Sequence, residues 1–215
     1  MIESGRGIIL RTRLLTETSL IVHWLTPNWG RIATVAKAAR RPKSPFAGKL
    51  DLFYVADFSF ARSRRSDLHT LREVNLRETH RALREDLLKL QQAAYAAALI
   101  EQATETETPL PEIFALFLEF LETLCRQPSR AQTTFAYELT LLRELGLEPD
   151  PEETHLTLGA KKLLQALLAN DWESGARLKL TKEQSHELRQ FLQNFLLLHL
   201  GRVPRGRAAA LGETV

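Results

Sequence analysis

Residues 7–44 read GIILRTRLLTETSLIVHWLTPNWGRIATVAKAARRPKS, three short runs rich in Ile, Val, Leu, Thr and aromatics, separated by turn chemistry. Thr16-Glu17-Thr18 parts the run at 7–11 from that at 19–25, and Pro27-Asn28-Trp29-Gly30 parts the second from 31–36. β-Branched and aromatic residues pack well on a pleated surface, and Pro, Asn and Gly interrupt it, so the pattern predicts strands joined by turns. The Pro-Asn-Trp-Gly step predicts a hairpin in which Gly30 takes a positive φ.

Working outward, 50–61 (LDLFYVADFSFA) and 67–76 (DLHTLREVNL) add two further strands. Five strands of this length form a small β-barrel. The OB-fold, a five-stranded partly open Greek-key barrel, has this size and holds oligonucleotides against a strand face and its flanking loops. An SH3-like barrel would show the same spacing. After Thr79 the period changes: LREDLLKLQQAAYAAALIEQA places apolar residues three and four apart, with much Ala to favour helix. Ala93, Ala94, Ala96, Ala97 and Ala98 would let a neighbouring helix approach closely. PEIFALFLEFLETLC, AQTTFAYELTLLRELG (closed by Gly146), GAKKLLQALLAN and KEQSHELRQFLQNFLLLHLG predict further helices. Pro111 suits a first turn, Thr181 an N-cap and Gly201 a stop. EPDPEETH reads as an exposed acidic loop, and RVPRGRAAALGETV as a fraying end with Arg202, Arg205 and Arg207 in a small basic patch. The expected class is α+β, with a barrel over 1–78 and a helical bundle over 79–215.

Charge follows the same division. Residues 1–80 hold 14 basic and 7 acidic groups, whereas 81–215 hold 15 and 19, so a net +3 chain has a basic and an acidic half. Arg31, Lys37, Arg40, Arg41, Lys43 and Lys49 fall in a stretch with no acid and several turn residues. A like-charged surface loop costs self-repulsion unless an anion meets it, and nucleic-acid phosphate is the candidate. Arg62, Arg64 and Arg65 in FARSRRSD form a second basic loop for the opposite rim. Single-strand grooves interleave cations for phosphate with planar faces for bases. Trp24, Trp29 and Phe46 lie among the cations; Trp29, at a turn, is the base-stacking candidate, while Trp24 alternates with Val22 and reads as core. Phe53, Tyr54, Phe58 and Phe60 also read as core. No residue set reads base edges, so binding should tolerate sequence and weaken steeply with salt.

Enzyme signatures are thin. There is no GxxxxGK[ST] loop and no GxGxxG after a strand, and the six His residues form no HExxH pair or ligand spacing. Glu101, Glu105, Glu107, Glu119 and Glu122 read as a solvated helix face, and Asp51, Asp57, Asp67 and Glu73 are too scattered for a two-metal nuclease. The chain reads as a binder without catalytic residues, cofactor or metal. Cys125 stands alone in a helix-like segment and reads as core packing. MIESGRGIIL has no apolar run of signal-peptide length, and no stretch would span a bilayer, so a soluble, cytoplasmic protein is expected.

Gly7 to Leu10, Glu17 and Ser19, Thr26, Gly30 and Ile32, then Ala36, Lys37, Ala39, Arg40, Arg41 and Ser44 together resemble the N-terminal domain of the RecO family of bacterial recombination mediators. The order of barrel then bundle, and the closing His-Leu-Gly at 199–201, are similar to that family too. Ala38 stands where the family's loop usually has Gly, and an acidic loop with a short helix stands where many members carry a four-cysteine zinc module. The resemblance implies a metal-free OB-fold protein that binds single- and double-stranded DNA and anneals complementary strands. With RecR as partner, it would help load RecA onto strands coated by single-strand-binding protein (SSB). It also implies that the bundle captures the acidic SSB tail in an apolar pocket, for which Arg126 and Arg130 are the flanking candidates. Two other classes remain open: an RNA-binding OB module with a helical dimerisation domain, separable by a preference for 2′-OH, and a hydrolase with a helical lid, which needs an acid cluster the sequence does not offer.

Overall fold

A computed structural model describes residues 1–169, 175 and 178–212. Asn170, the last residue of the helix expected over 159–170, and residues 213–215 of the expected fraying end lie outside the described residues. Five strands, β1 (Ile2–Leu14), β2 (Leu20–Thr26), β3 (Gly30–Ala36), β4 (Val55–Ala61) and β5 (Leu68–Glu78), close into a barrel in the order β1-β2-β3-β5-β4. All neighbours are antiparallel except β3 and β5, which pair in parallel from Ala33 opposite Leu68 to Val35 opposite Thr70. The first strand is longer than the pattern at 7–11 suggests. Its first half pairs with β4, Ile2 opposite Ala61, and its second half with β2, Leu14 opposite Leu20. A bulge between Ile9 and Arg11 lets one strand serve two sheet halves, since an extra residue bends the chain. The fourth strand is shorter than 50–61: its ladder begins only at Val55, and residues 50–54 approach it as turns, with Phe53 at φ 65°.

The barrel encloses an apolar core including Ile9, Val22, Trp24, Ile32, Phe58, Phe60, Leu71 and Val74. Trp24 is fully buried and stacks on Phe58 at 4.2 Å between centroids, 8° from parallel. Its indole N–H donates to the buried Thr34 hydroxyl at 2.9 Å, which explains a polar residue facing this interior. Gly7 passes Phe58 and Trp24 so closely that a Cβ there would sit 2.9 and 3.1 Å from their rings. Gly30 turns the β2–β3 hairpin at φ 60°, as its turn setting predicts.

Spatially, the chain forms two compact units, Met1–Arg81 with Thr104–Leu118, and Ala82–Ala103 with Glu119–Val215. The return of 104–118 to the barrel has no strand signature. It is held by Glu107 N–H donating to the Arg31 carbonyl at 2.9 Å and by Phe117 packing edge-on against Phe53 at 6.3 Å.

The described helices are α1 (Leu87–Ala103), α2 (Pro111–Arg126), α3 (Ala131–Glu144), α4 (Leu158–Ala169), α5 (Lys182–Leu200) and α6 (Arg207–Ala210). Ala93, Ala96 and Ala97 are buried on α1, whereas Ala94 is exposed. Close contact there lets the Tyr137 hydroxyl of α3 donate to the Ala96 carbonyl at 3.2 Å. Thr181 caps α5 in a reciprocal capping box with Gln184, and Gly201 ends it at φ 74°. Within the acidic loop Asp150 caps a short 3₁₀ turn, Pro151–Glu153. Cys125 is half-buried rather than core. The chain end corrects the sequence reading: Arg207 is no part of a frayed basic patch. It starts α6 and is 5% exposed, because Glu138 draws its guanidinium into the helical unit.

Candidate nucleic-acid interface

The long basic stretch leaves β3 as successive turns at Arg41, Ser44, Ala47 and Lys49. Ala39 and Phe46 are buried anchors, 8% and 7% exposed, and between and around them Lys37, Arg40, Arg41 and Lys43 reach solvent. Lys49 is half-buried. Phe46 is therefore a core residue, unavailable for stacking on a base. The stretch is fastened to the β1–β2 hairpin: Arg40 N–H donates to the Thr18 carbonyl and its guanidinium to the Glu17 carbonyl, both at 3.0 Å. Ala38 N–H donates to the Ser19 hydroxyl at 3.3 Å. Ala38 adopts φ 55°, so the left-handed turn forms here without Gly. A Cβ in that region costs roughly 1–2 kcal/mol, which the hydrogen bonds to the hairpin offset.

On the outer face of β1–β2–β3 the register adds cations that the loop-centred reading overlooks. Arg11 lies opposite His23, Arg13 opposite Ile21, and His23 opposite Ala33. Both arginines are exposed. Burial lowers the His23 pKa to about 4, and Arg11, Arg13 and Arg31 press it the same way, which records how closely positive charge crowds this face. The missed signal was Arg11-Thr12-Arg13 itself, since alternation puts positions two apart on one side of a strand.

Arg31 is half-buried, and its guanidinium donates to the Thr104 hydroxyl at 2.8 Å and to the Thr104 carbonyl. Trp29 is half-buried and packs edge-on against Phe60 at 5.1 Å and Phe58 at 6.5 Å, so the turn residue leans on the barrel core. In the β4–β5 loop, Ser63 Oγ accepts from Arg65 N–H and Ser66 N–H, holding Arg64 and Arg65 out in solvent. Arg62 points elsewhere. It pairs with Glu3 at 2.7 Å and Glu107 at 3.1 Å, and its hydrogen bond holds the Glu3 carboxyl below its usual range. Because Leu68 pairs with Ala33, this loop borders the start of β3, while the β1–β2 hairpin borders its end. The two loops thus bracket the cationic face, the arrangement by which OB-folds hold oligonucleotides.

In the helical unit, Arg126 is exposed and lies 3.6 Å from Glu122 one turn earlier on α2. Arg130 is the extended residue preceding α3, its side chain exposed and its carbonyl accepting from Gln92 Nε2 at 2.7 Å. Among the described residues no group of three or more His, Cys, Asp or Glu could hold a metal ion, and no helix is long and apolar enough to cross a membrane.

Comparison with known proteins bears on the same residues. The family model described as "Recombination protein O N terminal" matches residues 1–80, and "Recombination protein O C terminal" matches 84–155 and 147–208. The chain is 33% identical over 150 residues to the DNA repair protein RecO of Bacillus subtilis, covering 70% of this chain and 58% of that protein. To the RecO of Rhodopirellula baltica it is 35% identical over 143 residues, 66% of this chain and 53% of that one. With the RecO of Alkaliphilus metalliredigens the alignment, gaps included, runs over 237 positions at 27% identity, covering 94% of this chain and 96% of the relative. The aligned part thus spans little more than half of the first two relatives and nearly all of the third. With both halves of the chain matched in order, one on the barrel and one on the helices, this protein belongs to the Recombination protein O family.

Proposed function

We propose that this chain is a DNA repair and recombination mediator that works by binding rather than by bond-breaking chemistry. The carrying observation is the cationic outer face of β1–β2–β3, with Arg11, Arg13 and Arg31 around His23, bracketed by Lys37, Arg40, Arg41 and Lys43 on one side and Arg64 and Arg65 on the other. Single- and double-stranded DNA would lie along this face through its phosphates. Cations shared between two strands reduce their mutual repulsion, which is how a barrel without a catalytic group speeds annealing. In this reading residues 1–78 are the nucleic-acid domain and residues 79–215 dock partners. The acidic SSB tail would meet the side of the helical unit bearing Arg126 and Arg130, and RecR would act alongside in loading RecA. The relatives' name, DNA repair protein, supports the role.

The test is annealing of complementary oligonucleotides coated with the cognate SSB, with and without the protein, across a salt series. Acceleration that fails when the SSB tail is removed supports both the DNA activity and that partner. Binding of naked strands with no effect on coated ones would sink the mediator role and leave the barrel as a DNA binder.

A further inference from the structure

A second surface lies wholly within the helical unit, a groove of about 440 Å³ between α5 and the acidic loop. Helix α5 buries one leucine row, Leu188, Leu192 and Leu196, in the bundle. Beside it runs another apolar row. Phe191 and Phe195 line the groove, their ring centroids 5.7 Å apart and both half-buried; the His199 ring follows at 4.3 Å from Phe195, and Leu198 is 77% exposed. One row suffices to seat a helix on a core. A second row of aromatics left half in water is the surface on which an amphipathic helix lays its own apolar face.

The rim states the charge of that occupant. Asp150, Glu153 and Glu187 border the groove, and none of its described lining residues is Lys or Arg. Two of the carboxylates are held in place: Asp150 accepts from Glu152 N–H at 2.8 Å, and Glu187 accepts from the Thr157 hydroxyl at 2.7 Å as well as from its N–H. An acidic peptide such as the SSB tail would meet like charge here, and like-charge juxtaposition opposes binding. We propose that this groove docks a cationic amphipathic helix of a partner protein, its apolar stripe on Phe191 and Phe195 and its Lys or Arg residues on Asp150, Glu153 and Glu187. The proposal does not depend on the DNA-binding reading of the barrel.

The probe is a fluorescent peptide of about five turns with Leu at helical i, i+3, i+4, i+7 spacing and Lys elsewhere, compared with its Glu-for-Lys counterpart, both titrated into the full chain. The Lys peptide should bind at least about tenfold tighter. Phe195→Ser should weaken it about tenfold, and Glu153→Lys, on an exposed side chain, about fivefold. Glu119→Lys makes the same charge change on α2 and should leave affinity within about twofold. Equal or tighter binding of the Glu peptide overturns the proposal. So does an equal loss in Glu119→Lys and Glu153→Lys, which would mean diffuse attraction to an acidic unit. Concentration-dependent self-association abolished by Phe195→Ser would also overturn it, assigning the groove to a second copy of this chain.

Discussion

Arg207 grips Glu138 with both arms of its guanidinium: Nε donates to Oε1 at 2.6 Å and Nη2 to Oε2 at 2.8 Å, across 69 residues of chain. Glu138 is fully buried, and the Tyr95 hydroxyl donates to the same Oε1 at 2.6 Å. Burial together with the Glu138 charge pushes the Tyr95 pKa well above its ordinary value, so the phenol stays a donor. This bond ties α6 into the helical unit and turns a terminal arginine into a structural one.

Breaking one side strands a buried charge. Arg207→Met should destabilise the protein by about 3–5 kcal/mol, whereas Arg207→Met combined with Glu138→Leu should recover much of the loss, because a buried pair costs desolvation that apolar replacements avoid. Urea denaturation of the two variants checks this; equal losses would mean that the pair's charges are not mutually dependent.

The loop cations and Arg62 should separate in a salt titration. Replacing Arg40, Arg41 and Lys43 with Ala should flatten the slope of log affinity for single-stranded DNA against log salt by up to about two units, at about 0.7 per phosphate contact in single strands, and that for duplex by up to about three, at about 0.9 per contact. Arg62→Ala should leave that slope within about one unit and lower the melting temperature instead, since Glu3 and Glu107 occupy its guanidinium. Measuring slope and melting point on both variants decides which loop residues face phosphate.

His23 should make DNA affinity and folding stability respond to pH in opposite senses. Its folded pKa, about 4, lies below that of an unfolded chain, about 6.5. Between those values the unfolded state binds more protons, so stability falls as pH drops from about 6.5 to about 4 and is fully present above. A phosphate set among Arg11, Arg13 and Arg31 would raise the pKa, so DNA affinity should increase over the same fall in pH. His23→Gln should remove both trends. An affinity trend that survives in His23→Gln would place the phosphate elsewhere.

Ala38 and Gly30 predict opposite outcomes at two left-handed positions. Ala38→Gly relieves a Cβ strain of roughly 1–2 kcal/mol against an unfolded-state cost of roughly 0.5–1 kcal/mol, for a net gain of about 0.5–1 kcal/mol. Gly30→Ala would put a Cβ 1.9 Å from the Thr108 carbonyl oxygen at φ 60° and should cost more than about 2 kcal/mol. Paired denaturation midpoints test both.

The five barrel strands, the Pro-Asn-Trp-Gly hairpin and the Thr181 and Gly201 helix ends were legible in the sequence because each rests on neighbours within a few residues: alternation, turn residues, caps. The basic loop was legible for the same reason, as a run of like charge. What long-range contact decides was hidden. Whether Arg62, Arg31 and Arg207 meet water depends on Glu3, Thr104 and Glu138, which lie 59, 73 and 69 residues away. The return of Thr104–Leu118 to the barrel, and the facing of the acidic loop to Phe191 and Phe195 across one groove, were equally out of reach. Periodicity determines which face of an element is apolar; only packing of the whole chain determines which charged groups that face will meet, and so which remain for a partner.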